Sequence, residues 1–268
     1  MKLFSIKETS IPWILHNGCE VVTNADEADW IIYESVGEPI QDIICARNKY
    51  PRNKLVFILS GDNDFSDNEC LWFASNVKPA ENKFQIYITN PRIYKTEAAF
   101  ESKTTFGYFG GTIWNMPERQ FMYSLPERWI IEPVNNYWGL SPDQKVSVSN
   151  NSYEKIKKSK YTLCPRGKGP SSMRIAEALA CGSIPIMIND NTNPFDDNFG
   201  DLAVRLSVED IPRLDDIVNS LPEPTPDKFN QCVEFYKNNI CADNSVPWSV
   251  CSGFSHKIID ILKNRRKG

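Results

Sequence analysis

The chain has 268 residues, 41% hydrophobic and 24% charged, with a formal net charge of −4. That length suggests about two domains of ordinary size, and the composition is that of a globular protein with enough chain to bury real cores. The acidic balance argues against a general nucleic-acid binder, so any polyanion site must be local. No apolar run approaches a membrane span, and the opening MKLFSIKETS has neither the n-region nor the h-region of a signal peptide, so a soluble cytoplasmic protein is expected.

Short β-branched and aromatic runs alternate with helical stretches, which predicts an α/β fold. In chain order, strands are expected at Met1–Ile6 and Trp30–Tyr33, a helix at Ile40–Asn48, and strands at Leu55–Leu59, Phe84–Ile88 and Thr105–Phe109. The last of these runs into Gly110-Gly111, and Arg119 begins or belongs to the helix that follows. Beyond it come a strand at Trp129–Pro133, a short basic helix at Ser152–Lys158, and a strand–helix–strand unit at Tyr161–Cys164, Ser172–Cys181 and Ile184–Ile188. Helices at Val208–Asn219, Pro226–Asn238 and Ser255–Arg266 complete the chain. Pro126 and Pro133 interrupt the pattern and put a domain boundary between Tyr123 and Asn136. There is no internal repeat and no low-complexity tract.

The eight cysteines (Cys19, Cys45, Cys70, Cys164, Cys181, Cys232, Cys241 and Cys251) form no CxxC pair and read as free thiols, with disulfides open only among the last three. His16 and His256 are the two histidines, and neither has a partner at ligand spacing, so no zinc site is expected.

The segment YTLCPRGKGPSSMRIAEALACGSIPIMI, from Tyr161 to Ile188, carries the chemistry. Gly167 and Gly169 permit a tight, backbone-exposing turn, Ser171 or Ser172 is a good helix N-cap, and Gly182 closes the helix. Arg166 and Lys168 precede this helix and Arg174 lies in its first turn, where the dipole is already positive. Each cation there costs about 0.3–1 kcal/mol where exposed. The arrangement makes sense if an anion such as phosphate is held by helix amides, hydroxyls and Arg forks. Ser171, Arg174 and Glu177 share one helical face by their three-residue spacing. Glu177 is then placed to accept hydrogen bonds from ribose hydroxyls. The plainer alternative is an Arg174–Glu177 ion pair beside a soluble basic loop. The loop is neither a Walker sequence nor GxGxxG.

These residues resemble the exostosin-type family, glycosyltransferase family 47. Ser159-Lys160-Tyr161-Thr162-Leu163-Cys164-Pro165-Arg166-Gly167 resembles the first half of its donor-site motif. Ser172, Arg174, Glu177, Ala178, Gly182, Pro185 and Ile186 fit the second half in register. Weaker echoes are Ala28–Tyr33, Phe57–Asp62, and Phe109-Gly110-Gly111 followed by Arg119. The resemblance implies a GT-B architecture of two Rossmann-like domains facing across a cleft. Its parts would be an acceptor-side domain at 1–128, a donor domain at 129–250, and a C-terminal helix at 251–268 returning to the first. It further implies inverting transfer of a sugar, xylose among the candidates, from a UDP-sugar to a glycan or glycoprotein hydroxyl, with no obligatory cofactor. Arg174 would bind diphosphate, Glu177 the ribose, Ser171 and Ser172 would border the phosphates, and Arg119 could reach the diphosphate. In its short length and missing anchor the chain resembles compact relatives from large DNA viruses of algae, the chloroviruses, some similar to β-xylosyltransferases.

An inverting transfer also needs a base. Asp62, just past the LVFIL strand, is the first choice, followed by Asp64 and then Glu34, although loop Asp residues often only stabilise turns. Asp62-Asn63-Asp64 also spells a D-x-D that could hold Mn²⁺ or Mg²⁺, and this ranks below the base. A GDP-fucose-type transferase and a non-catalytic nucleotide-sugar or glycan-binding module are the competing readings.

Overall fold

The computed structural model describes residues 1–36, 40–60, 66–74, 80–85, 103–113, 117–167, 172–188, 201–240 and 255–265. Its first half runs β1 (Lys2–Ser5), α1 (Ile11–His16), β2 (Glu20–Val21), β3 (Trp30–Val36), α2 (Ile40–Lys49), β4 (Leu55–Ser60), β5 (Leu71–Ala74) and β6 (Lys83–Gln85). Next come β7 (Thr105–Gly111), α3 (Pro117–Gln120), β8 (Trp129–Pro133), α4 (Pro142–Lys158), β9 (Ser159–Pro165) and α5 (Met173–Ala180). The chain closes with β10 (Ile184–Ile188), β11 (Val204–Leu206), α6 (Leu214–Ser220), α7 (Pro226–Asn239) and α8 (Ser255–Arg265).

Among the described residues the strands form two sheets, ordered β2-β1-β3-β4-β5-β6 and β11-β10-β9-β7-β8. Every strand pair within them is parallel. The two sheets share one winding rule. The second strand of each lies outside the first, and the third crosses to the first strand's other side. The order therefore reverses between β1 and β3, and again between β7 and β9. Such reversals leave a crevice at the carboxyl ends of the strands, where open α/β sheets bind ligands.

The parallel strands are buried on both faces, which explains their continuous apolar runs: all five residues of β10 are buried. In the first sheet, alternate side chains serve two clusters. Ile31, Tyr33, Leu55, Phe57, Leu59 and Trp72 pack with Ile43 and Ala46 of α2. Ile32, Val56, Ile58, Leu71 and Phe73 join the larger cluster with Trp13 and Ile14 of α1. That larger cluster is continuous into the second sheet and includes Ile258, Ile259 and Leu262 of α8. Arg265 of α8 hydrogen-bonds Asn82 and Glu81 and lies over the Phe84 ring, so the C-terminal helix does return to the first sheet.

Several expectations need correction. The change of sheet falls before Thr105, because β7 pairs with β8 and β9. The boundary therefore lies N-terminal to the Tyr123–Asn136 stretch, whose prolines bracket β8 without separating domains. The short basic helix expected at Ser152–Lys158 is the last part of the 17-residue α4. It starts with a capping box, in which Gln144 N–H donates to Ser141 Oγ (3.3 Å) and Ser141 N–H to Gln144 Oε1 (2.9 Å), with Pro142 at the first helical position. Val208–Asn219 is not one helix. Pro212 sits inside a 3₁₀ turn over Val208–Arg213, and α6 begins only afterwards. Residues 86–88 of the strand expected at Phe84–Ile88 lie outside the described residues. The strands β2, β5 and β11 had no counterpart in the sequence reading. Among the described residues no helix is long and apolar enough to cross a membrane.

Cys19, Cys45, Cys70, Cys164, Cys181 and Cys232 are free thiols, and Cys241 and Cys251 lie outside the described residues. Burial pushes the Cys181 thiol up to about 12 and raises Cys164 further still, so neither is a ready nucleophile. Lys103, just before β7, closes the far end of the second sheet's helices. Its ammonium donates to Lys157 O (2.7 Å) and Cys181 O (2.8 Å), at the carboxyl ends of α4 and α5, and stands over the Phe229 ring of α7.

Candidate functional site

At the strand-order reversal of the second sheet, β7 ends in Gly110-Gly111 and β9 ends in Pro165, followed by Arg166 and Gly167. Helix α5 rises from the latter loop, capped by Ser172, whose hydroxyl accepts from Arg174 N–H at 3.3 Å. Gly182, at φ 64°, ends it in the left-handed conformation. Arg166, Gly167, Ser172, Arg174 and Glu177 are thus brought to one edge of the sheet. Lys168 and Ser171 lie outside the described residues.

The first-turn cation is compensated within the protein. Arg174 donates to Gly110 O, at the end of β7, and pairs with Glu177 one turn along α5. The pair is not on the surface: the side chains are 19% and 7% exposed, respectively. Burial opposes the Arg174 charge, but Glu177, with Tyr108, Cys164 and Tyr153 nearby, keeps its pKa above the ordinary guanidinium value. The local geometry is therefore the ion pair that the sequence offered as the plainer alternative, although buried. Glu177 faces Arg174, and its side chain is almost wholly buried.

Arg119, the single basic residue of α3, reaches across this edge. Its Nε and one terminal nitrogen both donate to Arg166 O (3.1 and 2.8 Å), and the other terminal nitrogen donates to Thr112 O at 2.7 Å. The shared nitrogen also approaches Pro165 O at 3.4 Å.

Under the β7 end lies a polar cluster that the sequence reading missed. Tyr108 Oη contacts Ser152 Oγ (3.1 Å) and Glu132 Oε2 (3.2 Å), and Lys155 pairs with Glu132. Burial raises the Tyr108 pKa, which keeps the phenol protonated as a donor. A Cβ on Gly110 would fall 2.1 Å from Tyr108 Oη, so the glycine leaves room for this network. The signal was present in FGYFGG, where Tyr108 and Gly110 share one face of the strand.

Of the three base candidates, Asp62 and Asp64 lie outside the described residues. Glu34 is at the carboxyl end of β3 and only 2% exposed. Its Oε2 accepts from Ser10 Oγ (2.9 Å) and Trp13 Nε1 (3.0 Å), which ties α1 to the sheet. Among the described residues no group of three or more His, Cys, Asp or Glu is arranged to hold a metal.

Two doubly wound parallel sheets, with a cation-bearing loop and helix start at the reversal of the second, define a GT-B-like α/β protein. Residues 45–221, more than half of the chain, match the exostosin GT47 domain, and the chain belongs to that family. A probable glucuronosyltransferase of Oryza sativa subsp. japonica is 41% identical over 129 residues, which are 45% of this chain and 29% of that protein. The probable beta-1,4-xylosyltransferase IRX10 of Arabidopsis thaliana is 31% identical over 129 residues, 45% of this chain and 30% of that protein. The chain thus spans under a third of the length of these curated relatives. Among solved structures, AviGT4, a glycosyltransferase involved in avilamycin A biosynthesis, aligns over 100% of this chain and 98% of its own, at 10% identity and a TM-score of 0.49.

Proposed function

We propose that this protein is an inverting glycosyltransferase that moves a sugar from a nucleotide-sugar donor, a UDP-sugar in the first instance, to a hydroxyl of a glycan or glycoprotein. The observation that carries the reading is the gathering of Arg166, Gly167, Ser172 and Arg174 at the carboxyl edge of β7 and β9. Family membership supports the same chemistry. The names of the relatives make UDP-xylose and UDP-glucuronic acid the first donors to try.

In this mechanism the acceptor oxygen attacks the anomeric carbon as the bond to the diphosphate oxygen breaks. The acceptor proton passes to a carboxylate of the first domain. Negative charge develops on the leaving diphosphate, where Arg166, Arg174 and the amides at the start of α5 would receive it without an obligatory Mn²⁺ or Mg²⁺. Lys168 and Ser171 would extend that cradle. Glu177 fits a role in aiming Arg174 better than one as a free ribose ligand. Asp62, then Asp64, remain the choices for the base, because Glu34 is already engaged in holding α1.

Calorimetric titration with UDP- and GDP-sugars, with and without EDTA, tests the reading. Binding of a UDP-sugar and EDTA-insensitive transfer are expected. Preference for GDP-fucose or strict Mn²⁺ dependence would overturn the donor or metal assignment. UDP binding with no product from any acceptor would leave a binding module in place of an enzyme.

A further inference from the structure

Arg119 lies where a diphosphate ligand would be sought, yet its donors converge on main-chain oxygens. The Arg166 carbonyl receives two of its N–H groups, at 2.8 and 3.1 Å, and the Thr112 carbonyl a third at 2.7 Å. These oxygens belong to the loops leaving β9 and β7, the two strands between which the sheet order reverses. In a trans peptide the C=O and the following N–H point in opposite directions. Fixing the Arg166 oxygen therefore fixes the Gly167 N–H, and fixing the Thr112 oxygen fixes the Ile113 N–H. A planar fork suits this task, since it delivers two fixed N–H groups to one oxygen and a third to another, whereas an ammonium offers rotatable donors from a single point. Gly167 offers no side chain to steady itself, and a Cβ there would stand 3.8 Å from the Arg119 guanidinium.

We infer that Arg119 is a positioning residue for the donor loop: it sets the peptide orientation of Arg166–Gly167 against the end of β7, and does not itself neutralise the diphosphate. This inference rests on the nucleotide-sugar reading of the site. It predicts that removing Arg119 misplaces the loop's amides while leaving unchanged the number of cations that touch phosphate.

The test compares wild-type protein with Arg119→Gln and Arg119→Lys, using UDP as the probe at several ionic strengths. UDP affinity should fall by about tenfold in both variants, because misplaced donors lose most of their value. The plot of affinity against salt should stay parallel to wild type in Arg119→Lys, which keeps the positive charge within a Debye length of the phosphates. Hydrogen exchange without nucleotide should quicken in the segments covering 105–113 and 160–167, and remain unchanged in the first sheet. Recovery of affinity by Arg119→Lys would overturn the inference and make the Arg119 charge itself the contribution to binding. Unchanged UDP affinity in both variants would overturn it as well. If the wild-type protein binds neither UDP nor GDP, the donor reading itself fails, and the exchange result shows whether the clamp exists apart from it.

Discussion

The two sheets follow the same winding rule, and each keeps a buried carboxylate near the point where its strand order reverses. In the first sheet Glu34 faces neutral donors, a hydroxyl and an indole N–H, that anchor α1. In the second, Glu177 faces a guanidinium that also grips the end of β7. The first arrangement ties a helix to the sheet through one carboxylate oxygen. The second balances a first-turn cation within the protein. One winding rule thus carries two different buried carboxylates, one on a strand that anchors a helix and one on a helix that pairs with a cation.

The strongest way to break this contrast is to remove Glu177. Glu177→Ala leaves the Arg174 charge buried without its carboxylate and should cost about 3–5 kcal/mol, read by urea denaturation. The double change Arg174→Met, Glu177→Met should recover most of that loss, because exchanging a buried pair for apolar groups is often neutral. A double variant as unstable as the single one would show that Glu177 supports the fold through other partners. Removing Glu34 should be milder. Glu34→Ala orphans two neutral donors, at about 1–3 kcal/mol, and should loosen α1. Loss as large as for Glu177→Ala would erase the distinction between the two acids.

A third test sharpens the contrast away from the strand-order reversals. Asp67 accepts from Glu69 N–H (2.8 Å), Cys70 N–H (3.0 Å) and Trp72 Nε1 (3.4 Å), and pairs with Arg47 of α2 at 2.7 Å. Burial pushes its pKa up, but the Cys70 and Glu69 amides and Arg47 outweigh this and hold it below the usual carboxylate value. A depressed carboxylate stabilises the fold above its unfolded pKa, and that contribution is lost as the pH falls through the folded value. Asp67→Asn should therefore lower the melting temperature at neutral pH by the equivalent of about 1 kcal/mol. It should also flatten the acid side of the stability profile below about pH 4. An unchanged acid slope would show that other carboxylates dominate there.

Much of this was legible from residues. The runs WIIY, LVFIL and IPIMI announced buried parallel strands, and Pro165, Ser172 and Gly182 punctuated the strand–loop–helix unit correctly. What sequence could not convey is how separate strands meet. Nothing local to Arg119 says that its partners are the carbonyls of Thr112 and Arg166, the latter 47 positions away. Glu132 and Tyr108 likewise become a pair only through the register of β7 with β8. The spacing of Arg174 and Glu177 gave their contact, whereas its burial depended on β7 and α4 packing over them. The start of α4 was missed because the Ser- and Asn-rich stretch after Val146 has weak helix propensity. Its capping box, read alone, would have placed it.

Lys103 has a consequence for how the chain can change. One ammonium draws together the tails of α4 and α5 and touches α7, at the opposite end of α5 from the cationic loop. The tie that joins these helices and the cation-bearing loop thus sit at the two ends of a single eight-residue rod. Mutational drift at Lys103 would therefore loosen the packing of three helices while leaving the loop at the other end of α5 in place.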